Sequence, residues 1–193
     1  MQRPVDRRVD RRSFLNTLGV TVGAAAATAA GPSIIPASAQ STPKGNIPDK
    51  PLRFGHMTFL TGPGAVLGEP SLKGHLLAAE EINAQGGILG KRKIETVQAD
   101  ENAGTDANVK ELRRMKLSEN IDMFTGVISS GNTPALGPVA EELGVLTIFV
   151  DGCTDFLFDK AVPNPKYVFR ITNIQSADGV TCAVAAAQTW PTG

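Results

Sequence analysis

The sequence predicts an open α/β domain, a mostly parallel sheet with helices on both faces. Three observations predict it. Short runs rich in β-branched and aromatic residues alternate with amphipathic stretches from Leu52 onward, and such alternation builds βαβ units around a parallel sheet. Glycine, serine, threonine, asparagine and proline gather where an expected strand gives way to a helix, the composition of turns and caps. No apolar run after residue 39 approaches the roughly 20 residues a membrane-spanning helix needs.

Taken in order, "LRFGHMTFL" (52–60) is the first strand, ended by "TGPGAVLG" (61–68). "EPSLKGHLLAAEEINAQ" (69–85) places Leu72, Leu76, Ala79 and Ile82 at the i, i+4, i+7 spacing of a helix with one apolar face. "GGILG" (86–90) stops it. "KIETVQA" (93–99) is the second strand, and residues 105–119 form a second helix with Val109, Leu112 and Met115 inward. "IDMFTGVI" (121–128) is the third strand, residues 133–143 the third helix and "VLTIFV" (145–150) the fourth strand. "YVFRIT" (167–172) follows as a fifth strand, then "SADGVTCAVAAAQTW" (176–190) as an Ala-rich helix. The crossovers should be right-handed, with ligands outside the carboxyl ends of the strands.

The N-terminus reads as an export signal. "RRSFLN" (11–16) precedes "TLGVTVGAAAATAA" (17–30), and "ASA" (37–39) offers small residues before a cut. Fourteen helical residues span about 21 Å, short of the roughly 30 Å hydrocarbon core. Arg11–Arg12 followed by Phe14 and Leu15 resembles a twin-arginine signal, with Asp10 and Asn16 departing from its usual pattern. Residues 1–39 are therefore read as a cleaved signal and 40–51, with three prolines, as a linker. Ser41-x-x-Lys44 has the spacing of a serine–lysine nucleophile, but a proline-rich arm lacks the rigid context.

Charge and composition exclude several functions. The formal net charge is zero, with an excess of +3 in the first twelve residues and −3 from Gln40 onward. Nucleic-acid binding needs a basic face and often aromatic platforms; this body is mildly acidic and only 5% aromatic. Cys153 and Cys182 are expected as buried or partly buried free thiols, their spacing establishing no disulfide. His56 and His75 are the only histidines, one in a strand and one in a helix, and no cluster has metal-ligand spacing. "GVISSG" does not fit G-x-S-x-G, and its serines have no placed base. Gly62, Gly64 and Gly68 stand at a strand-to-helix turn with a spacing one residue too long for a dinucleotide fingerprint. The adjacent acids Glu80–Glu81 and Glu141–Glu142 are expected at the solvated surface. No cofactor is expected.

What remains are two polar corners. After the third strand, Ser129, Ser130 and Asn132 offer side-chain donors, and Gly131 lets backbone amides come close. The next helix starts either with Thr133 as N-cap and Pro134 in its first turn, or at Pro138. Under either register free amides face the strand ends, a favourable place for a carboxylate. "DGCTD" (151–155) is the second corner, at the same edge after the fourth strand. Either alone is explained by capping; two on adjacent strands point to a site.

These pieces resemble, in order, the leucine/isoleucine/valine-type periplasmic binding proteins, type I solute-binding proteins of amino-acid and amide ABC transporters. The resemblance is carried by "LTGPGAVLG" (60–68), "AAEEINAQGGILGKR" (78–92), "GVISSGNTPALGPVAEELGV" (126–145) and "YVFR" (167–170). It implies two α/β lobes closing over a small ligand. Residues 52–172 would be an incomplete first lobe, and 173–193 the crossover and first helix of the second. By position, Ser130, with Ser129 beside it, would donate to the ligand's carboxylate, Thr154 would donate from the next corner, and the Gly152 carbonyl would accept from an ammonium or amide. Leu67 stands where branched-chain binders often carry an aromatic residue, implying a different side-chain pocket. Asp151 and Cys153 also depart from the family's small neutral residues; an Asp151 facing the cleft would favour a cationic or amide ligand.

The resemblance implies a monomeric periplasmic protein that hands an amino acid, amide or small carboxylate to permease and ATPase subunits of an ABC importer. An exported sensor domain of the same fold is the main alternative. A hydrolase or dehydrogenase is disfavoured, since no base, metal site or fingerprint was found. The final "TWPTG" follows the helix resembling the start of the second lobe. The chain is accordingly expected to be a truncated product or fragment that binds ligand poorly alone, its last helix presenting Val180, Ala183, Val184 and Ala187 to no sheet.

Overall fold

The computed structural model describes residues 46–190. The export signal, its cleavage position and Ser41–Lys44 lie outside the described residues, as does the first half of the linker. The elements run β1 (Leu52–Thr58), α1 (Ala65–Ala84), β2 (Ile94–Asp100), a 3-10 turn (Glu101–Ala103), α2 (Thr105–Leu117), β3 (Met123–Gly126), α3 (Thr133–Leu143), β4 (Leu146–Phe149), a π-helical turn (Leu157–Ala161), β5 (Val168–Arg170) and α4 (Gln175–Thr189). Every strand pairing is parallel, in the order β2-β1-β3-β4-β5. The order reverses between β1 and β3, which makes that boundary a topological switch point.

Strand alternation divides the sheet into two unequal faces. Met57, Phe124, Phe149 and Val168 share one face and are buried with Leu112 and Met115 of α2 and Leu136 and Ala140 of α3. A Cβ at Gly55 would come 2.8 Å from Ile121 and 3.0 Å from the Met115 sulfur, so glycine lets α2 settle onto β1. The opposite face carries α1, whose His75 ring stacks on His56 of β1 at 4.5 Å between centroids. There cover is thin: Leu146 of β4 is 42% exposed and Phe169 of β5 50%. Only Gly68 and Ala79 of α1 are buried, and Leu76, expected inward, is exposed. The last helix, α4, buries no residue, and its Val180 and Val184 are exposed.

Local chemistry fixes the boundaries. The first helix starts at Ala65, four residues before the helical periodicity begins. Gly68 permits this, because a Cβ there would lie 1.8 Å from the Phe59 carbonyl oxygen. Its far end is pinned by Asn83, whose side chain donates to the Ile94 carbonyl (2.9 Å) and accepts from the Ile94 N–H (2.7 Å), as a neighbouring strand would. The third helix starts at Thr133, one residue after its N-cap Asn132, and runs through Pro138; neither a Thr133 cap nor a start at Pro138 is found.

Glu141 corrects the expectation of idle surface acids. Its Oε1 accepts the N–H groups of Lys166, Tyr167 and Val168 at 2.8–3.0 Å, fixing the entry to β5. Burial raises its pKa, but those backbone donors outweigh burial and hold the carboxyl below the usual range. Glu142 forms a two-point ion pair with Arg113. Both cysteines are free, but Cys182 is exposed rather than buried, because α4 has nothing packed over it.

Candidate functional site

The corners after β1, β2, β3 and β4 share the C-terminal edge of the sheet. The β3 corner is conformationally unusual. Gly126 has φ +108° and a Cβ there would lie 2.1 Å from the Met57 carbonyl oxygen, while Val127, fully buried, has φ +65°. A β-branched residue in the left-handed region is a true outlier and costs on the order of 1–3 kcal/mol. Two groups hold it there. The Val127 N–H donates to the Met57 carbonyl at 2.7 Å, and the Glu101 carboxylate receives the next two amides, Ile128 and Ser129, each at 2.8 Å.

Glu101 is 1% exposed, although it had no assigned role in the sequence. Its Oε1 also accepts from Asn132 Nδ2 at 2.9 Å, and its backbone carbonyl accepts from Asn108 at 2.9 Å. The Asn132 Oδ1 in turn accepts from the Thr105 hydroxyl at 2.8 Å. Two expectations change. Asn132 is buried, with its Nδ2 on Glu101 and its Oδ1 on Thr105, so it braces the corner from within. The anion expected at the start of the next helix is met earlier in the corner by a carboxylate of the protein itself, Glu101 on the Ile128 and Ser129 amides.

The structure brings Ser130 to the β4 corner. Its Oγ lies 3.9 Å from the Cys153 sulfur, and the Thr133 hydroxyl lies within reach of both the Ser130 carbonyl (3.4 Å) and the Gly152 carbonyl (3.3 Å). Ser129 Oγ accepts from the Gly131 N–H at 3.3 Å. Gly152 has φ +66°, and a Cβ there would meet Thr133 Cγ2 at 2.4 Å. Its carbonyl also accepts from Arg170 Nη1 at 3.2 Å, so the acceptor expected for a ligand ammonium is already occupied twice. Thr154 is buried; its Oγ accepts from the Phe156 N–H at 3.3 Å, and its own hydroxyl hydrogen meets no acceptor among the described residues. Leu67 stands at the same edge of the sheet on the first turn of α1, 59% exposed, with no bond to either corner.

The acids at this edge are spent on the protein's own donors. Asp100 accepts from the Leu60 N–H, the Thr61 hydroxyl and the Asn102 N–H. Burial raises its pKa, yet these donors together hold it below the usual carboxylate range. Asp151 accepts from the Gly152 N–H at 2.9 Å, and Asp155 accepts from the Ser176 hydroxyl at 2.9 Å, tying down the start of α4. Among the described residues no group of three His, Cys, Asp or Glu side chains could hold a metal ion. An open groove of about 590 Å³ lies elsewhere, between α1 and β2, lined by Leu76, Ala79, Asn83, Thr96 and Gln98. The uncommitted polar groups of the two corners are hydroxyl donors, a set that receives an acceptor such as a carboxylate and contains no nucleophile–base pair.

Two residues of this edge escaped the sequence reading. Glu101 had a signal of sorts, an acid directly after a strand, and Arg170 closes the "YVFR" segment without any chemistry attached to it.

Known proteins share the sequence pattern and the fold. Residues 51–191 match the family described as "Periplasmic binding protein". Over 113 residues, 58% of this chain, the sequence is 34% identical to Leu/Ile/Val-binding protein homolog 7 of Brucella suis biovar 1 (strain 1330). That stretch spans 28% of the relative's length. The structure resembles the branched-chain amino acid transporter substrate binding protein LivJ of Streptococcus pneumoniae in complex with isoleucine, with TM-score 0.59, 29% identity and coverage of 65% of this chain and 35% of that one. It also resembles a solute binding protein of an ABC transporter from R. palustris in complex with benzoate, with TM-score 0.63, 27% identity and coverage of 72% and 37%. A family match that begins before β1 and runs past α4 places the chain in the periplasmic binding protein family.

Proposed function

We propose that this chain carries the first-lobe half of a solute site, in the periplasmic binding component of an ABC importer for amino acids, amides or related small carboxylates. The observation that carries the reading is the placement of Ser130 and Thr154 on adjacent corners of the C-terminal edge, Ser130 beside Cys153, with the Thr154 hydroxyl hydrogen uncommitted and the carboxylates of Glu101 and Asp151 bonded to backbone N–H groups. Isoleucine and benzoate, bound by two of the similar structures, share a carboxylate and little else. Ser130, with Ser129 beside it, and Thr154 would donate to that carboxylate. The Gly152 carbonyl would take a ligand ammonium only in exchange for Arg170 or Thr133. Leu67, exposed at the edge, would contact the ligand's side chain.

In this reading residues 1–39 are removed near Ala39 on export to the periplasm and 40–51 form a linker. Residues 52–172 belong to the first lobe, and 173–193 cross to the second. The protein works as a monomer alongside membrane permease and ATPase subunits. The test is calorimetric titration of the full-length gene product with L-leucine, L-isoleucine, benzoate and L-leucinamide. Carboxylates should bind more tightly than L-leucinamide, because hydroxyl donors favour a charged acceptor over a neutral one. Ser130→Ala and Thr154→Ala should each cost about 1–3 kcal/mol, the worth of a buried or charged hydrogen bond. Unchanged affinity in both variants would move the site elsewhere, and no binding of any carboxylate would refute the reading.

A further inference from the structure

Arg170 ends β5 at the same edge as the two corners. It is half-buried and makes no ion pair among the described residues. Its Nη1 instead donates to two carbonyls of the β4 corner, Gly152 at 3.2 Å and Thr154 at 2.6 Å. The guanidinium carbon lies 5.4 Å from the centroid of the Phe158 ring, within the range of a cation–π contact. A guanidinium has no deprotonated form to fall back on in a protein, and a half-buried one needs acceptors. Here backbone carbonyls meet that need where a carboxylate ordinarily would. The two carbonyls flank Cys153 and belong to the residues on either side of it, one of which carries the uncommitted hydroxyl of Thr154.

We propose that Arg170 is the positioning residue of this corner: by bridging the Gly152 and Thr154 carbonyls it fixes the backbone between them and so aims the Thr154 hydroxyl. It also occupies both carbonyls, so that a ligand donor reaches the Gly152 carbonyl only by exchange. The proposal rests on the solute-site reading for its purpose, but the restraint itself is independent of any ligand. Arg170 acts through Thr154 and touches no solute.

Cys153 is a reporter built into the restrained segment. It is half-buried, and Cys182 is the only other cysteine of the chain. In the 193-residue chain carrying Cys182→Ser, the rate of Cys153 alkylation by N-ethylmaleimide reads local opening of the corner under native conditions. Arg170→Met should raise that rate by about tenfold, the order expected when a charge-assisted restraint on a loop is lost. Leu112→Ala removes a fully buried side chain of α2 and serves as the control for general destabilisation; it should leave the rate within about twofold. An unchanged rate in Arg170→Met, or an equal rise in Leu112→Ala, overturns the proposal. In a second arm, L-isoleucine is titrated into the full-length protein. There Arg170→Met should weaken binding by about tenfold, and adding Thr154→Val to it should cost less than about twofold more, the non-additivity of residues acting through one contact. Independent, additive losses overturn the proposal. Failure of the wild type to bind overturns the solute-site reading, and the alkylation rates then decide the role of Arg170 alone.

Discussion

Glu101→Gln is the most informative single change, because it keeps shape and removes charge. The carboxylate accepts from three donors: Ile128 N–H on one oxygen, Ser129 N–H and Asn132 Nδ2 on the other. A glutamine can keep the oxygen that serves Ser129 and Asn132 only by turning its NH2 toward the Ile128 N–H, which sets donor against donor. One hydrogen bond is lost outright, and the two survivors lose their charge assistance. With hydrogen bonds to charged groups worth about 1.5–3 kcal/mol and neutral ones about 1, the gross loss is on the order of 3–5 kcal/mol. Relaxation at Val127 returns part of it, since a loosened corner can release up to about 1–3 kcal/mol of backbone strain. The net expectation is about 2–3 kcal/mol of lost stability, measured as the urea midpoint by far-UV circular dichroism. Trp190, exposed on the end of α4, would be a poor fluorescence reporter of this corner. A loss below about 0.5 kcal/mol, the range of an ordinary surface change, would refute the claim that Glu101 holds the corner together.

Other expectations can be checked separately. His56 is 2% exposed with both ring nitrogens unpartnered, and burial, then the charge of His75, lowers its pKa to about 4. The folded state therefore binds this proton less readily than the unfolded state, whose histidine titrates near 6.5. Stability should be complete above about pH 6.5 and fall by about 3 kcal/mol as pH drops through that window toward 4; an identical pH profile of melting temperature in His56→Gln would refute this. Gly152→Ala forces a left-handed φ and a 2.4 Å contact with Thr133, so it should destabilise by at least about 1–2 kcal/mol, and an unchanged melting temperature would contradict the corner geometry. Intact-mass measurement of the exported protein should give Gln40 as the N-terminus; a periplasmic product retaining residues 1–39 would count against the signal reading.

The fold was legible where the reasons are local. The span of α3, residues 133–143, was legible, though its cap was not: Asn132 takes the place expected of Thr133, and Gly144 ends the helix in the left-handed conformation. The start of α1 was not legible, since "TGPGAVLG" has the composition of a turn. Its glycines serve an approach of backbone to backbone, visible only once Phe59 is placed beneath Gly68. Asn83 shows the same division. A helix ending in "IN" before a double glycine is readable as a stop signal, but the reason for asparagine is Ile94, eleven residues away, whose N–H and carbonyl it satisfies together.

The two corners were legible because serine, threonine and glycine announce bends, and bends at strand ends of a parallel sheet are where ligands are received. The groups that hold those bends were not. Glu101 follows β2, and the corner it secures follows β3; these strands are not neighbours, because β1 lies between them. The carboxylate therefore reaches past the end of β1, at the boundary where the sheet's order reverses and α1 and α3 depart to opposite faces. No local pattern encodes that reach. It becomes readable only when strand order is known, and then it follows from a requirement. A chain that bends at Gly126–Val127 leaves the Ile128 and Ser129 amides without a ladder to join, and buried amides need an acceptor. The flanking strand β1 serves only the Val127 N–H, through the Met57 carbonyl, and the next two amides are met by a side chain projected across the gap. Arg170 meets the converse requirement one strand further on, where the turn at Gly152 strands carbonyls. The opening between the two corners is left with hydroxyl donors because the protein has already answered its own unpaired backbone with one buried acid and one arginine.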